Sequence, residues 1–183
     1  VSENAVEVLA KAFDDKKVGC VSGRPVAIND KNTMLGFWSH LLVDAGAHEI
    51  RKRLHGQNEF IECSGYLFGC RNEIKKIPTD VAEDSIIPYI LWKKEYQIRY
   101  APEAKVYVKY PDNLKDFIKQ RVRTAKSHEK LEAYAPDIPR VKSFRNEVIN
   151  GPMLALRYAG SIKEFVWVVF LFPIRLYIWY KAE

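Results

Sequence analysis

An α/β fold is predicted by two features of this sequence. Short runs of strand length, Val18-Gly-Cys-Val, Gln97-Ile-Arg-Tyr and Lys105-Val-Tyr-Val-Lys-Tyr, alternate with segments whose apolar residues recur at helical spacing. The 183 residues are also enough for one domain that buries about two thirds of its unfolded surface.

The first helix is expected across Val1 to Phe13, where Val6, Leu9, Ala10 and Phe13 share a face, and Asp14-Asp15-Lys16-Lys17 breaks it before the strand at Val18. Ser22-Gly-Arg-Pro25 reads as a turn and Val26-Ala-Ile28 as a short second strand. Thr33 to Leu54 is a long helical stretch with Met34, Leu35, Trp38, Leu41 and Leu42 apolar. Its basic tail, Arg51-Lys52-Arg53, is expected to complement the helix dipole and meet solvent.

Phe60 to Arg71 is a strand carrying Gly65 and Gly69. Such glycines suit either the close approach of a ligand or an ordinary bulge. Asp80 is a candidate cap of the next helix, with Glu83 three residues on to complete a capping box. That helix is expected to run towards Lys94, bent by Pro88. Pro111-Asp-Asn113 opens another, with Leu114, Phe117, Ile118, Val122 and Ala125 facing the core.

The character shifts after Leu131, so the chain divides into 1–131 and 132–183. The second part passes through basic Arg140, Lys142 and Arg145 to an aromatic, apolar end. Phe165 to Tyr180 holds one charge, Arg175, and is interrupted by Pro173. The run falls short of the roughly twenty residues a spanning helix needs. Its aromatics suit the membrane interface, with the basic residues towards anionic lipid; a buried terminal core helix is the plainer alternative.

The 29 Lys and Arg against 23 Asp and Glu give a net charge of +6, which suits phosphate-bearing ligands, anionic lipid or nucleic acid alike. No nucleic-acid reader motif accompanies it, so nucleic acid is not an expected partner. Cys20, Cys63 and Cys70 are odd in number and lack close CxxC spacing, so neither a disulfide framework nor a zinc site is indicated. The opening Val1-Ser-Glu-Asn-Ala-Val-Glu has neither basic leader nor apolar run, so no secretory signal is read there. Without an initiator methionine, the chain is expected to be a fragment or a processed form.

Two segments carry the chemistry. Ala82-Glu83-Asp84 puts an acidic couple in the first turn of a helix, where the N-terminal partial positive charge favours a carboxylate able to accept a proton. Gln120-Arg121-Val122-Arg123 puts two guanidiniums on another helix, where planar forked donors match diphosphate oxygens. Gln120, Arg123 and Ser127 share one face, and Arg121 lies nearer the Phe117 side. Each has a plain alternative: first-turn acids stabilise a helix with no further role, and basic faces are commonly solvated surface.

Taken in order, these segments resemble the family 2 inverting glycosyltransferases of membrane type, the group that includes cellulose, chitin and hyaluronan synthases. The resemblance covers about Val1 to Lys130. The opening helix and Val18-Gly-Cys-Val-Ser-Gly-Arg look like the segment after the family's metal-binding aspartates, and Phe60 to Arg71 looks like its glycine-containing acceptor strand. Ala82-Glu83-Asp84 matches the Thr-Glu-Asp signature except at its first position. Gln120-Arg121-Val122-Arg123-Thr124 matches Gln-x-x-Arg-Trp through the arginine.

The resemblance implies the acceptor-side half of a GT-A-like nucleotide-diphospho-sugar transferase fold. Asp84 would be the catalytic base, Arg123 and then Arg121 would hold the donor diphosphate, and Gly65, Glu83 and Gln120 would lie on the acceptor side. The implied partners are a nucleotide-diphosphate sugar donor, a glycan or lipid-linked acceptor, a membrane surface on its cytoplasmic face, and an N-terminal half of the same protein. Mg²⁺ or Mn²⁺ is implied for the complete enzyme, with ligands outside this chain, because no Asp-x-Asp occurs in it. The chain alone is therefore expected to be inactive. Thr124 in place of the tryptophan implies the loss of a surface on which sugars stack. A non-catalytic membrane-surface module is the rival expectation.

Overall fold

A computed structural model describes residues 1–137 and 144–182; Arg140 and Lys142 lie outside the described residues, as does the Arg145 side chain. The fold is the expected mixed α/β arrangement. Its three-stranded sheet has the order β2-β1-β3, with β1 (Val18–Ala27) in the centre, β2 (Phe68–Cys70) antiparallel to it and β3 (Gln97–Val108) parallel.

Helix α1 (Ala5–Lys11), shorter than expected and followed by a 3-10 turn at Ala12–Asp14, covers one sheet face. There Ala5 and Leu9 meet Val18, Val21, Ala101 and Ala104. On the other face α4 (Glu83–Trp92) packs Ile86, Ile87 and Leu91 with Cys20, Ile98 and Tyr100, joined by Phe60 and Ile61 of the segment before β2. The parallel β1–β3 pair requires a long crossover, supplied by α2 (Met34–Leu41), a π-helical segment at Leu42–His48, α3 (Glu49–Gly56), β2 and α4.

A second cluster joins α2 to α5 (Leu114–Tyr134), α6 (Phe144–Tyr158) and α7 (Ile162–Ala182) through Phe37, Trp38, Leu41, Phe117, Ala155, Val168, Leu171 and Ile178. Trp38 Nε1 donates to the Trp167 carbonyl at 2.8 Å, tying α7 to α2. One face of α7 is thus buried. Its other face leaves Ile162, Phe165, Val166, Val169, Phe170, Leu176, Tyr177 and Tyr180 exposed. Among the described residues no helix is long and apolar enough to cross a membrane.

Several local expectations are corrected. Ser22 to Pro25 is not a turn: β1 runs through it. Beyond Gly23 its outer side has no β2 partner, and an unpaired strand side is where a residue without an N–H is tolerated. The two strands read at 97–100 and 105–110 are one strand, β3. Its pairing jumps from Gly23↔Ala101 to Arg24↔Lys105, so Pro102, Glu103 and Ala104 bulge out. Gly23 is required there, because a Cβ would stand 2.8 Å from the Ala104 carbonyl oxygen and 2.6 Å from Leu67.

Of Phe60 to Arg71 only Phe68–Cys70 is strand, apart from an isolated bridge between Ser64 and Leu67. Helix α4 stops at Trp92, and its N-cap is Ala82, which has no side chain to cap with. Asp80 instead accepts from the Tyr134 hydroxyl at 2.9 Å, so the capping box does not form. Leu114, placed with the core face of α5, is exposed in the helix's first position, while Phe117 and Ala125 are buried.

Candidate active site

Asp84 stands in the first turn of α4, partly buried, and fixes the loop that precedes β2. The Gly65 amide donates to Asp84 Oδ2 at 3.1 Å, and the Cys63 amide donates to the Asp84 carbonyl at 2.9 Å. That carbonyl is available for a structural reason. Its helical partner would be the amide four residues on, and that residue is Pro88, which has none. A proline inside a helix is thereby converted into a tether for a loop.

Asp84 Oδ1 makes no hydrogen bond among the described residues. Gly65 and Asp84 are in direct contact: a Cβ on Gly65 would lie 3.3 Å from Oδ2. Glu83, beside Asp84, is exposed.

The second motif reaches the same loop. Helix α5 is capped by Asn113, whose side chain accepts from the Asp116 amide at 2.9 Å. Two turns later Gln120 Nε2 lies 3.5 Å from the Tyr66 hydroxyl, a long contact, and Gln120 Oε1 is buried without a hydrogen bond among the described residues. Arg121 lies over the rings of Tyr110 (5.9 Å) and Phe117 (5.5 Å), the side its position in the helix predicts. Tyr66 and Tyr110 meet edge to face at 5.9 Å. Asp84, Gly65, Gln120 and Arg121 are therefore linked through Tyr66 and Tyr110. Arg123 is exposed and makes no hydrogen bond or ion pair among the described residues.

Besides Tyr66, three further residues are ones the sequence reading does not place here. The most consequential is Arg51, which was assigned to solvent with Lys52 and Arg53. It is only 7% exposed; its Nε donates to the Glu62 carbonyl at 2.9 Å and its Nη2 to the Cys63 carbonyl at 3.1 Å. Lys52 and Arg53 are exposed as expected. A basic triplet at a helix end does not show which member turns inward; Arg51 does, because the Glu62 and Cys63 carbonyls of a later loop accept from it.

Arg24, read as part of a turn, points from β1 to Asp44 at 3.4 Å, and Asp44 also accepts from the Tyr158 hydroxyl at 3.0 Å. Tyr110 is held by a reciprocal pair with Asn29, at 2.9 and 2.8 Å. Only an aromatic following the alternating strand at Lys105 signalled it.

These groups set an electropositive tone. Burial pushes the Tyr110 phenol well above its ordinary range, with Tyr66 adding to the effect and Arg121 opposing it. Burial likewise pushes Tyr100 up to about 12, against the pull of Arg51 and Arg24. Both phenols are thus neutral at physiological pH and offset none of the arginine charge. His48, whose Nδ1 lies 2.8 Å from the Tyr100 hydroxyl, is lowered by burial and next by Arg24. Cys20 and Cys63 are buried with their Sγ atoms 3.3 Å apart, and the hydrogen bond between the thiols, with burial behind it, pushes Cys20 far up.

The arrangement offers a carboxylate with one free oxygen, a fixed backbone loop, and cationic groups on the facing helix, at the end of two parallel strands where ligands of open α/β sheets collect. Among the described residues no three His, Cys, Asp or Glu side chains are grouped to hold a metal ion. A hollow of about 150 Å³ lies elsewhere, lined by His55, Trp92, Tyr96 and Arg99 among others, and includes none of the site residues. Residues 1–182 match the family model described as glycosyl transferase family group 2. No curated protein matches the chain.

Proposed function

The chain belongs to glycosyl transferase family group 2, its α/β sheet and flanking helices being consistent with a GT-A-like domain, and from that premise we propose inverting transfer of a sugar with Asp84 as base. The donor is a nucleotide-diphosphate sugar and the acceptor a glycan or a lipid-linked molecule. An acceptor oxygen attacks the anomeric carbon from the side opposite the leaving group. The Asp84 carboxylate takes the hydroxyl proton, the bond from the anomeric carbon to the diphosphate oxygen breaks, and the electron pair leaves with the diphosphate. Arg123, which is exposed, and Arg121, beside Tyr110, take up that charge. Gln120 orients the site, and Gly65 and Glu83 border the acceptor.

The observation that carries this reading is the Gly65–Asp84 hydrogen bond at 3.1 Å: it holds one carboxylate oxygen still and leaves Oδ1 without a partner among the described residues. Replacing Asp84 with Asn in the full protein, assayed with nucleotide sugars, is expected to cut transfer by about 10³-fold. Unaffected transfer would remove Asp84 from the mechanism.

The membrane-type subclass, and the division into a transfer unit at 1–131 and a membrane-facing part at 132–183 on the cytoplasmic side, belong to the same proposal. The outer face of α7 supports it, with Phe165, Val169, Phe170, Tyr177 and Tyr180 exposed between Lys163 and Lys181. That face equally favours the second reading, a non-catalytic membrane-surface module. The Asp84→Asn variant separates the two: an enzyme loses transfer and still pellets with anionic vesicles, whereas a module has no transfer to lose.

A further inference from the structure

The fold gathers all three cysteines of the chain at one place, although their spacing in the sequence suggests no pair. Cys20 lies on the central strand β1 and Cys63 in the loop before β2, both fully buried, with their Sγ atoms 3.3 Å apart. Cys70, on β2, stands opposite Cys20 and is exposed. The Arg71 amide donates to the Gly19 carbonyl and the Gly23 amide to the Leu67 carbonyl, both at 2.9 Å, so the hydrogen-bonded pairs alternate around Cys20 and Cys70. These two are therefore a non-hydrogen-bonded antiparallel pair, whose Cα atoms stand about 4.5 Å apart and whose side chains share one sheet face. Such a separation is within the span of a disulfide. Cys20 thus has a thiol on either side, one sealed in the core and one open to solvent.

We propose that the three thiols are a single oxidation site, which takes a peroxide at Cys70 and ends with a disulfide between Cys20 and Cys63. An oxidant in solution reaches Cys70 first, because the other two sulfurs are covered. The Cys70 sulfur attacks one peroxide oxygen, the O–O bond breaks, and water leaves behind a sulfenic acid. The Cys20 sulfur then attacks the Cys70 sulfur; the S–O bond breaks, and the hydroxyl departs as water with the Cys20 proton. Cys63 next attacks the Cys20 sulfur, and Cys70 is released as a thiol carrying the Cys63 proton. One peroxide and two thiols become one disulfide and two waters. Burial, followed by Cys63, raises the Cys70 thiol, so the first step is slow and the site answers to sustained peroxide rather than traces. The finished bond ties the loop to the central strand at the residue whose amide bonds the Asp84 carbonyl and whose carbonyl is held by Arg51.

The test is a thiol map of the folded chain. The reduced full chain is treated with hydrogen peroxide, quenched with catalase, unfolded, alkylated with iodoacetamide and cut with chymotrypsin, which separates Cys63 from Cys70 at Tyr66 to Phe68. Mass spectrometry is expected to show Cys20 joined to Cys63, Cys70 alkylated, and full alkylation of all three after dithiothreitol. Cys63→Ser is expected to stop at a Cys20–Cys70 link, and Cys70→Ser to slow formation of the buried disulfide about tenfold. Three alkylated thiols after peroxide, or cysteines carried only to sulfinic and sulfonic acids, overturn the site. An undiminished rate in Cys70→Ser overturns entry through Cys70.

Discussion

Replacing Arg51 with Met asks whether a buried guanidinium holds the active loop. Two charge-assisted bonds, to the Glu62 and Cys63 carbonyls at 2.9 and 3.1 Å, disappear with it. Bonds of that kind contribute about 1.5–3 kcal/mol each. Against this, Arg51 Nη1 is buried without a hydrogen bond among the described residues, and removing that unsatisfied donor returns about 1–3 kcal/mol. Methionine fills much of the vacated volume, so the cavity term is small. The net loss is about 2–3 kcal/mol, a large share of a typical 5–15 kcal/mol.

With an m value of about 2 kcal/mol/M, the urea midpoint falls by about 1 M. Arg51→Lys keeps the charge but has no planar fork to span consecutive carbonyls, so it falls roughly half as far. A Met variant that unfolds at the same urea concentration as the parent, or higher, would refute the reasoning: the cost of burying the cation would then outweigh the bonds it makes.

Two further outcomes follow. His48 and His55 are both lowered by burial, His48 next by Arg24 and His55 next by Arg99. Each stays neutral in the fold at a pH where the unfolded chain begins to bind protons. Stability is therefore full above about pH 6.5 and declines as the pH falls below it; thermal midpoints of His48→Gln should show a shallower slope between pH 7 and 5. Gly36→Ala in α2 would set a Cβ against the Asp30 carbonyl oxygen, a backbone atom that cannot step aside. A strongly reduced yield of folded protein is expected, and a well-folded Ala variant with an unchanged urea midpoint would contradict the contact.

The parts of the fold legible in the sequence are those governed by local periodicity. The face of α5 that buries Phe117 and Ala125, the apolar run from Met34 to Leu42 and the β1–β3 alternation with helices all follow from side-chain spacing. What failed depends on distant partners. Ser22-Gly-Arg-Pro25 has the composition of a turn, yet a neighbouring strand pairs with it on one side and leaves the other open for Pro25. Arg51 belongs to a basic triplet whose members look equivalent until one of them meets the carbonyls of Glu62 and Cys63. The site divides in the same way: the helix positions of Asp84, Gln120 and Arg121 were readable, whereas Tyr66 and Tyr110 join them only through contacts between distant segments.

Pro88 shows how sequence-local and long-range terms combine at this site. Read alone, it is a defect in α4, removing one hydrogen bond from a short helix. In the fold, the carbonyl it leaves unpaired belongs to Asp84, and the amide that takes it belongs to Cys63. The same aspartate then accepts from Gly65 with its side chain, so backbone and carboxylate grip one loop two residues apart. Arg51 closes the arrangement from the other side by binding the carbonyls of Glu62 and Cys63. The loop cannot move without the aspartate, and the aspartate cannot turn without giving up the loop. Such mutual restraint fixes a carboxylate in one orientation without using both of its oxygens, which is the condition a base must meet if a substrate hydroxyl is to find it already in place.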